Sequence, residues 1–319
     1  MALTVFPHML TRFTRRVGVG HAALPALALL ALGFAFVCPS VAAEQREQGR
    51  CIWVLGDSTV EDVPSKLAEL LPGRQIIAGG IGAQTSIQIA ARAGALPTHL
   101  TVDGDAIPAT GSVEARGVNP RLISGSPPSG KIRGSLAGRS GELTRDDKDA
   151  YLFTPDPAAT STPVAANIAF TPDTREAHGC ILILGAGRNN YNATERVLFD
   201  IGAILGSYTE SKNKEPARFL VLSVPNAAGE GIGTPPYKII MRLNQALAQR
   251  YGRNFLDFHQ YAVEKGVKVL GLATDSATEG WIAQDIVPEV LRRDIIHLNA
   301  QGNGVFAAFI AAAIKERGW

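Results

Sequence analysis

Beyond residue 50 the chain alternates short apolar runs with segments whose apolar residues recur at helical spacing. Ile52–Leu55, Cys180–Leu184 and Phe219–Val224 are near-continuous apolar runs, the pattern of strands covered on both faces. Gln75–Ala78 and Asn254–Phe258 predict two further short strands. Between these, helices are expected over Pro64–Leu71, where Pro72-Gly73 ends the run, and over Ser86–Arg92. Val197, Leu198, Ile201, Ile204, Leu205 and Tyr208 form one stripe of a helix over Thr194–Tyr208. Pro235-Pro236 starts another helix, through Ala248, and an Ala-rich one closes the chain over Gly304–Glu316. Alternation of this kind predicts an α/β fold, a three-layer arrangement of a parallel sheet flanked by helices on both faces.

One stretch breaks the rhythm. Residues 98–162 are rich in Gly, Pro, Ser and Thr, and carry short alternating pieces at Leu100–Val102, Ser112–Arg116, Gly141–Thr144 and Tyr151–Thr154. Spaced short strands separated by turn residues suggest a small β-rich insertion. A disordered linker is the alternative, but the regular pieces and Tyr151/Phe153 favour the β module. The main domain is thus expected over 44–97 and 178–319, with 163–177 as a return linker.

The first 43 residues carry Arg12, Arg15 and Arg16, then an apolar run from Ala22 to about Val37, then Ser40-Val41-Ala42-Ala43. This is the layout of a secretory signal peptide cut after Ala43. An uncleaved anchor is the other reading, but the run is shorter than the ~20 residues of a spanning helix. A secreted or periplasmic protein with no stable membrane span after cleavage is expected. Without those three arginines the 31 basic residues become 28, against 29 acidic ones. A near-neutral chain with no basic run argues against a nucleic-acid partner. Cys51 and Cys180 open two similar apolar strands; they are either two buried thiols or, if those strands are neighbours, a bridge. Neither is placed as a nucleophile, and no clustered histidines accompany them, so no metal or cofactor is expected.

Four motifs carry candidate chemistry. Gly56-Asp57-Ser58-Thr59 follows directly on a buried strand, where α/β sheets bind ligands; alone, it reads equally well as a serine capping the next helix. Gly79–Ser86 follows the second strand, and its backbone N–H groups can face the same crevice. It matches no nucleotide-binding pattern. Gly185-Ala-Gly187-Arg188-Asn189-Asn190 follows a third strand and offers a neutral amide that can donate to a developing oxyanion, or simply forms a turn. Near the end of the chain, Asp294 stands three residues before His297. On one helical turn such a pair faces one side, so the carboxylate can orient the imidazole toward a serine. Trp53 reads as core; Trp281 either lines the cleft or packs beneath a loop.

In this order the four motifs resemble the blocks of the SGNH/GDSL hydrolase family, over roughly residues 50–97 and 178–319. The resemblance implies a flavodoxin-like SGNH fold and a secreted serine esterase. It implies Ser58 as nucleophile, His297 as base and Asp294 as its orienting acid. The oxyanion hole would be Ser58 N–H, Ala83 or next Gly82 in the glycine block, and the Asn189 side chain. Two positions depart from the family pattern: Asn190 stands where Asp is usual, and Ala83 where a glycine is usual. The expected substrate is a small-molecule or polysaccharide ester, O-acetyl carbohydrate first. An O-acyltransferase with the same triad, a lipase or thioesterase on small acyl substrates, and a catalytically silent glycan-binding protein are the alternatives.

Overall fold

A computed structural model describes residues 51–125, 130–209 and 217–319. The expected signal peptide lies outside the described residues. Five strands form a parallel sheet in the order β13-β12-β11-β1-β2, with β1 at Ile52–Gly56, β2 at Ile76–Gly80, β11 at Ile181–Gly185, β12 at Phe219–Leu222 and β13 at Phe255–Leu256. Their side chains alternate between two buried clusters. Ile52, Val54, Ile181, Ile183, Leu220 and Leu222 pack with residues of the helices Val63–Leu70, Phe258–Val269 and Ala300–Glu316. Trp53, Leu55, Leu182, Leu184 and Val221 pack with residues of Ser86–Arg92, Thr194–Thr209 and Pro235–Tyr251. Trp53 is core, as its strand requires.

The expected flavodoxin-like, three-layer fold with a small insertion is overturned by what lies between β2 and β11. Six antiparallel strands close into a barrel in the order β10-β3-β5-β8-β7-β6. They are β3 (Thr98–Val102), β5 (Val113–Asn119), β6 (Ile132–Leu136), β7 (Arg139–Arg145), β8 (Tyr151–Pro155) and β10 (Ile168–Pro172). The molecule is a parallel sheet joined to a closed barrel, and the barrel has more strands than the sheet. The physical cause is the alternation itself. Leu100, Val102, Ala115, Ile132, Leu136, Leu143, Phe153 and Phe170 supply one apolar face to these strands. With almost no helix of its own to cover that face, the sheet curls and buries it inward, removing its edges. Closure needs β10, which pairs with both β3 and β6; the segment 163–177, expected as a linker, therefore contributes a barrel strand. A short pair, β4 (Ala106–Ile107) and β9 (Thr162–Pro163), lies alongside.

The barrel core also includes Ala91, from the helix Ser86–Arg92 that follows the glycine block. Cys51 and Cys180, at the starts of the adjacent strands β1 and β11, are joined by a disulfide. Among the described residues no helix is long and apolar enough to cross a membrane.

Candidate active site

The site forms where β1, β2 and β11 end. Gly56 and Gly185 are paired across the last rung of β1 and β11. A Cβ on Gly56 would lie 2.3 Å from the Gly185 carbonyl oxygen and 2.6 Å from Val60, so the chain can turn here only without a side chain. The turn becomes a single 3-10 turn over Ser58–Val60, capped by Asp57, whose Oδ1 accepts from Thr59 N (2.9 Å) and Thr59 Oγ1 (2.7 Å). Asp57 is buried, and burial pushes its carboxyl up against the opposing pull of the Thr59 hydrogen bonds. The cap fixes the backbone on both sides of Ser58.

Ser58 Oγ lies 2.8 Å from His297 Nε2, and His297 Nδ1 lies 2.8 Å from Asp294 Oδ2. The Asp294–His297 segment is not the helical turn expected from its spacing. It is a tight loop clasped by a bridge between Arg292 and Leu298 and by Arg293 N donating to His297 O (2.8 Å). Asp294 makes the loop: its Oδ1 accepts from the backbone N–H of Ile296 (2.9 Å) and His297 (2.8 Å). Desolvation works against the Asp294 charge, but these backbone bonds and the His297 ring outweigh it and hold the carboxyl down at about 2. An ionised carboxylate only accepts, so Nδ1 carries the ring hydrogen and the Nε2 lone pair faces Ser58. Trp281 packs beneath this loop: the Arg292 guanidinium sits 4.8 Å over its ring and donates to the Asp294 carbonyl (3.0 Å) and the Val287 carbonyl (2.8 Å).

The other expected oxyanion donors lie on the Gly82–Ala83 turn and at Asn189, which is hydrogen-bonded to the end of that turn. Gly82 lies against the nucleophile; a Cβ there would be 4.0 Å from Ser58 Cβ. Ala83 is held at a φ of +60°, in the left-handed region that an alanine enters at a cost of ~1–2 kcal/mol. Among the described residues nothing accepts from the backbone N–H of Ser58, Gly82 or Ala83. Asn189 Nδ2 donates to the Gln84 carbonyl (2.8 Å), which leaves the second amide hydrogen for a ligand.

Asn190, where an Asp was the family pattern, has a task that needs an amide. Its Oδ1 accepts from Ser86 N (3.0 Å) while its Nδ2 donates to Ser86 Oγ (2.9 Å), and that hydroxyl donates to the buried Asp200 (2.6 Å). A carboxylate could not make the second of these bonds.

Several supporting residues were not singled out from the sequence. Arg92 donates to carbonyls near the ends of β1 and β2, Gly56 O (2.9 Å) and Gly79 O (2.7 Å), and to Gln84 Oε1 (3.0 Å). Burial pulls its guanidinium down to about 10. Arg188 forms a two-pronged pair with Glu230 (2.7 and 3.0 Å) and lies 5.1 Å over the Tyr191 ring, bracketing Asn189. Behind the triad is a cavity of about 30 Å³, lined by Asp57, Thr59, Leu222, Phe258, Ile296 and Leu298 among others. It touches the neighbours of Ser58 and His297 and neither residue itself, so it is not the reaction face. Among the described residues no group of His, Cys, Asp and Glu is placed to hold a metal ion.

No family model and no curated protein matches the chain. Solved structures similar to it include one described as a platelet activating factor from Streptococcus pneumonia, at 12% identity and a TM-score of 0.42, covering 87% of this chain and 90% of that one. Another is a gut microbial diltiazem-metabolizing enzyme, also at 12% identity and 0.42, covering 83% of this chain and 46% of that one. Likeness at this level carries no functional argument.

Proposed function

We propose that the protein is a serine ester hydrolase of SGNH/GDSL-like chemistry that works through an acyl-enzyme on Ser58. The observation that carries this reading is the continuous line from Ser58 Oγ to His297 Nε2 (2.8 Å) and from His297 Nδ1 to Asp294 (2.8 Å). Three side chains in this order form the nucleophile, base and orienting acid of acyl transfer.

In the first step Ser58 Oγ attacks the ester carbonyl as its proton passes to His297 Nε2. The carbonyl oxygen becomes an oxyanion, which accepts from the N–H groups offered by Ser58, the Gly82-Ala83 turn and Asn189. Collapse breaks the C–O bond of the leaving alcohol, which takes the proton from Nε2. Water then attacks the acyl-enzyme, giving its proton to the same nitrogen, and Ser58 regains it as the acid leaves. Asp294 stays ionised throughout and holds the ring.

The Cys51–Cys180 disulfide supports an oxidising compartment, in keeping with the expected export leader. We place acyl groups on carbohydrate first among substrates, acetyl before longer chains. The test is a panel of p-nitrophenyl esters and O-acetylated polysaccharides, with fluorophosphonate labelling mapped by mass spectrometry. Hydrolysis and labelling at Ser58, both lost in Ser58→Ala, are the expected result. Hydrolysis retained by Ser58→Ala would refute the mechanism.

A further inference from the structure

Residues 120–125, which follow the barrel strand β5, are hydrogen-bonded to the Gly82–Gln88 segment beside the nucleophile. Ser124 Oγ donates to the Gly82 carbonyl (2.7 Å). Gln84 Nε2 donates to the Leu122 carbonyl (2.6 Å), and Gln88 Nε2 to the Arg121 carbonyl (3.0 Å). The two residues that flank Ala83 are therefore both bonded to the barrel, and Gln84 is bonded to Asn189 as well. Ala83 sits between them at a φ of +60°. A strained residue of this kind persists only where its surroundings over-determine it. Nothing in the local sequence asks for this conformation, because the position is not glycine.

The loop is itself anchored. Leu122 and Ile123 are fully buried in the barrel core. The Tyr151 hydroxyl donates to the Ile123 carbonyl (2.7 Å) and accepts from Ile123 N (3.0 Å). Arg145 donates to the Ile123 carbonyl (3.0 Å) and to that of Gly125. The anchoring runs on past the site: Gln84 Oε1 accepts from Arg92, whose other donors hold Gly56 O and Gly79 O. The barrel wall, the Gly82–Gln84 turn and the strand end that carries Ser58 form one hydrogen-bonded frame.

We propose that the barrel is part of the catalytic apparatus, its 120–125 loop clamping the Gly82–Gln84 turn in the geometry that aims its N–H groups at the oxyanion, with Ser124 as a positioning residue. The proposal rests on the ester-hydrolase reading. Ser124 touches no reacting atom; it acts by fixing the Gly82 carbonyl, which sets the peptide plane that carries Ala83 N–H. Misplacing a preorganised donor by about 1 Å is enough to cost on the order of 10²-fold in rate.

The experiment compares wild type, Ser124→Ala, Ser124→Thr and Gln84→Met. It measures kcat and KM on an acetyl ester and the inhibition constant of an arylboronic acid, whose tetrahedral adduct on Ser58 mimics the oxyanion. Ser124→Ala is expected to lower kcat roughly 10- to 100-fold with KM within about threefold. Boronate affinity falls in parallel with kcat/KM, and Ser124→Thr, which keeps the hydroxyl, recovers most of both. Gln84→Met, which removes the Leu122 anchor, shifts the same two readouts in the same direction. A wild type labelled at Ser58 by fluorophosphonate, with a folded Ser124→Ala variant whose kcat and boronate affinity stay within twofold, overturns the clamp and leaves the hydrolase intact. A wild type that neither labels nor hydrolyses overturns the hydrolase reading, and the clamp with it.

Discussion

Replacing Asp294 by Asn changes one atom of the site and isolates what the carboxylate does. In the native loop Oδ1 holds the backbone N–H of Ile296 and His297, while Oδ2 faces His297 Nδ1. An asparagine can keep its carbonyl oxygen on the two backbone donors, so the loop survives. Its NH2 then stands where Oδ2 was and donates to Nδ1. The ring hydrogen moves to Nε2, which then points a donor at Ser58 where a lone pair is needed. A base locked in the wrong tautomer costs about 10⁴-fold in kcat, or about 5 kcal/mol of transition-state stabilisation. Asp294→Ala should lose a similar factor, but it also abandons the two backbone donors and should lower Tm further than Asp294→Asn, which loses only the charge. The assay is p-nitrophenyl acetate turnover per fluorophosphonate-titratable site, beside thermal denaturation of each variant. Asp294→Asn retaining more than about a tenth of wild-type turnover would mean that the carboxylate does not set the tautomer, and the orienting role would have to be withdrawn.

Reduction, or the double change Cys51→Ser/Cys180→Ser, should lower unfolding free energy by about 5 kcal/mol, because the bridge spans 129 residues of sequence; a urea midpoint unmoved by reductant would contradict this. Glu230→Gln should lose about 2 kcal/mol of stability, since Arg188 keeps a hydrogen-bond partner but loses its charge partner at a site where both side chains are 15% exposed. It should also reduce kcat more than KM, because Arg188 precedes Asn189, the proposed oxyanion donor. Asp294 and Asp173 are both held at about 2, Asp294 by backbone bonds that outweigh its desolvation and Asp173 chiefly by Arg175. Folded values below the ordinary 3.8 mean that their stabilisation is complete above pH 4 and disappears as pH falls through about 2. Urea midpoints should be flat near neutrality and drop below pH 4, and an Asp294→Asn/Asp173→Asn variant should show a shallower drop.

The sequence made legible what depends on neighbours a few residues apart. The parallel strands announced themselves as apolar runs, and Ser58, Asp294 and His297 stood out because each lies in a short motif next to such a run or near the chain's end. The structure brings those three together. What the sequence could not show depends on pairings at long range. Closure of the barrel is decided by β10 meeting β3 and β6, and no local pattern in Ile168–Pro172 distinguishes that strand from a linker. The Asp294–His297 contact was expected from helical spacing, yet it is built by side-chain-to-backbone bonds in a loop, a geometry that the same spacing serves equally well. Ser124 and Gly82 are 42 residues apart, and Arg188 and Glu230 also 42; neither partner carries a signal that names the other.

Ala83 carries a tension between its residue type and its backbone conformation. In the sequence it stands where the family it resembles usually has glycine. In the structure its φ is positive, so the departure is not neutral: the residue carries a strain that glycine would have avoided. A strained alanine has less freedom than a glycine once it is held, because the alternative conformations open to glycine are closed to it. The strain and the clamp are therefore complementary. Hydrogen bonds to Gly82 O and from Gln84 Nε2 force the turn into place, and the alanine methyl limits where the turn can go if those bonds fluctuate. On this argument Ala83→Gly should raise stability by about 1 kcal/mol and yet lower kcat, by making the donor turn more mobile. A variant that gained stability with no loss of turnover would show that the clamp alone sets the turn and that the alanine contributes nothing to it.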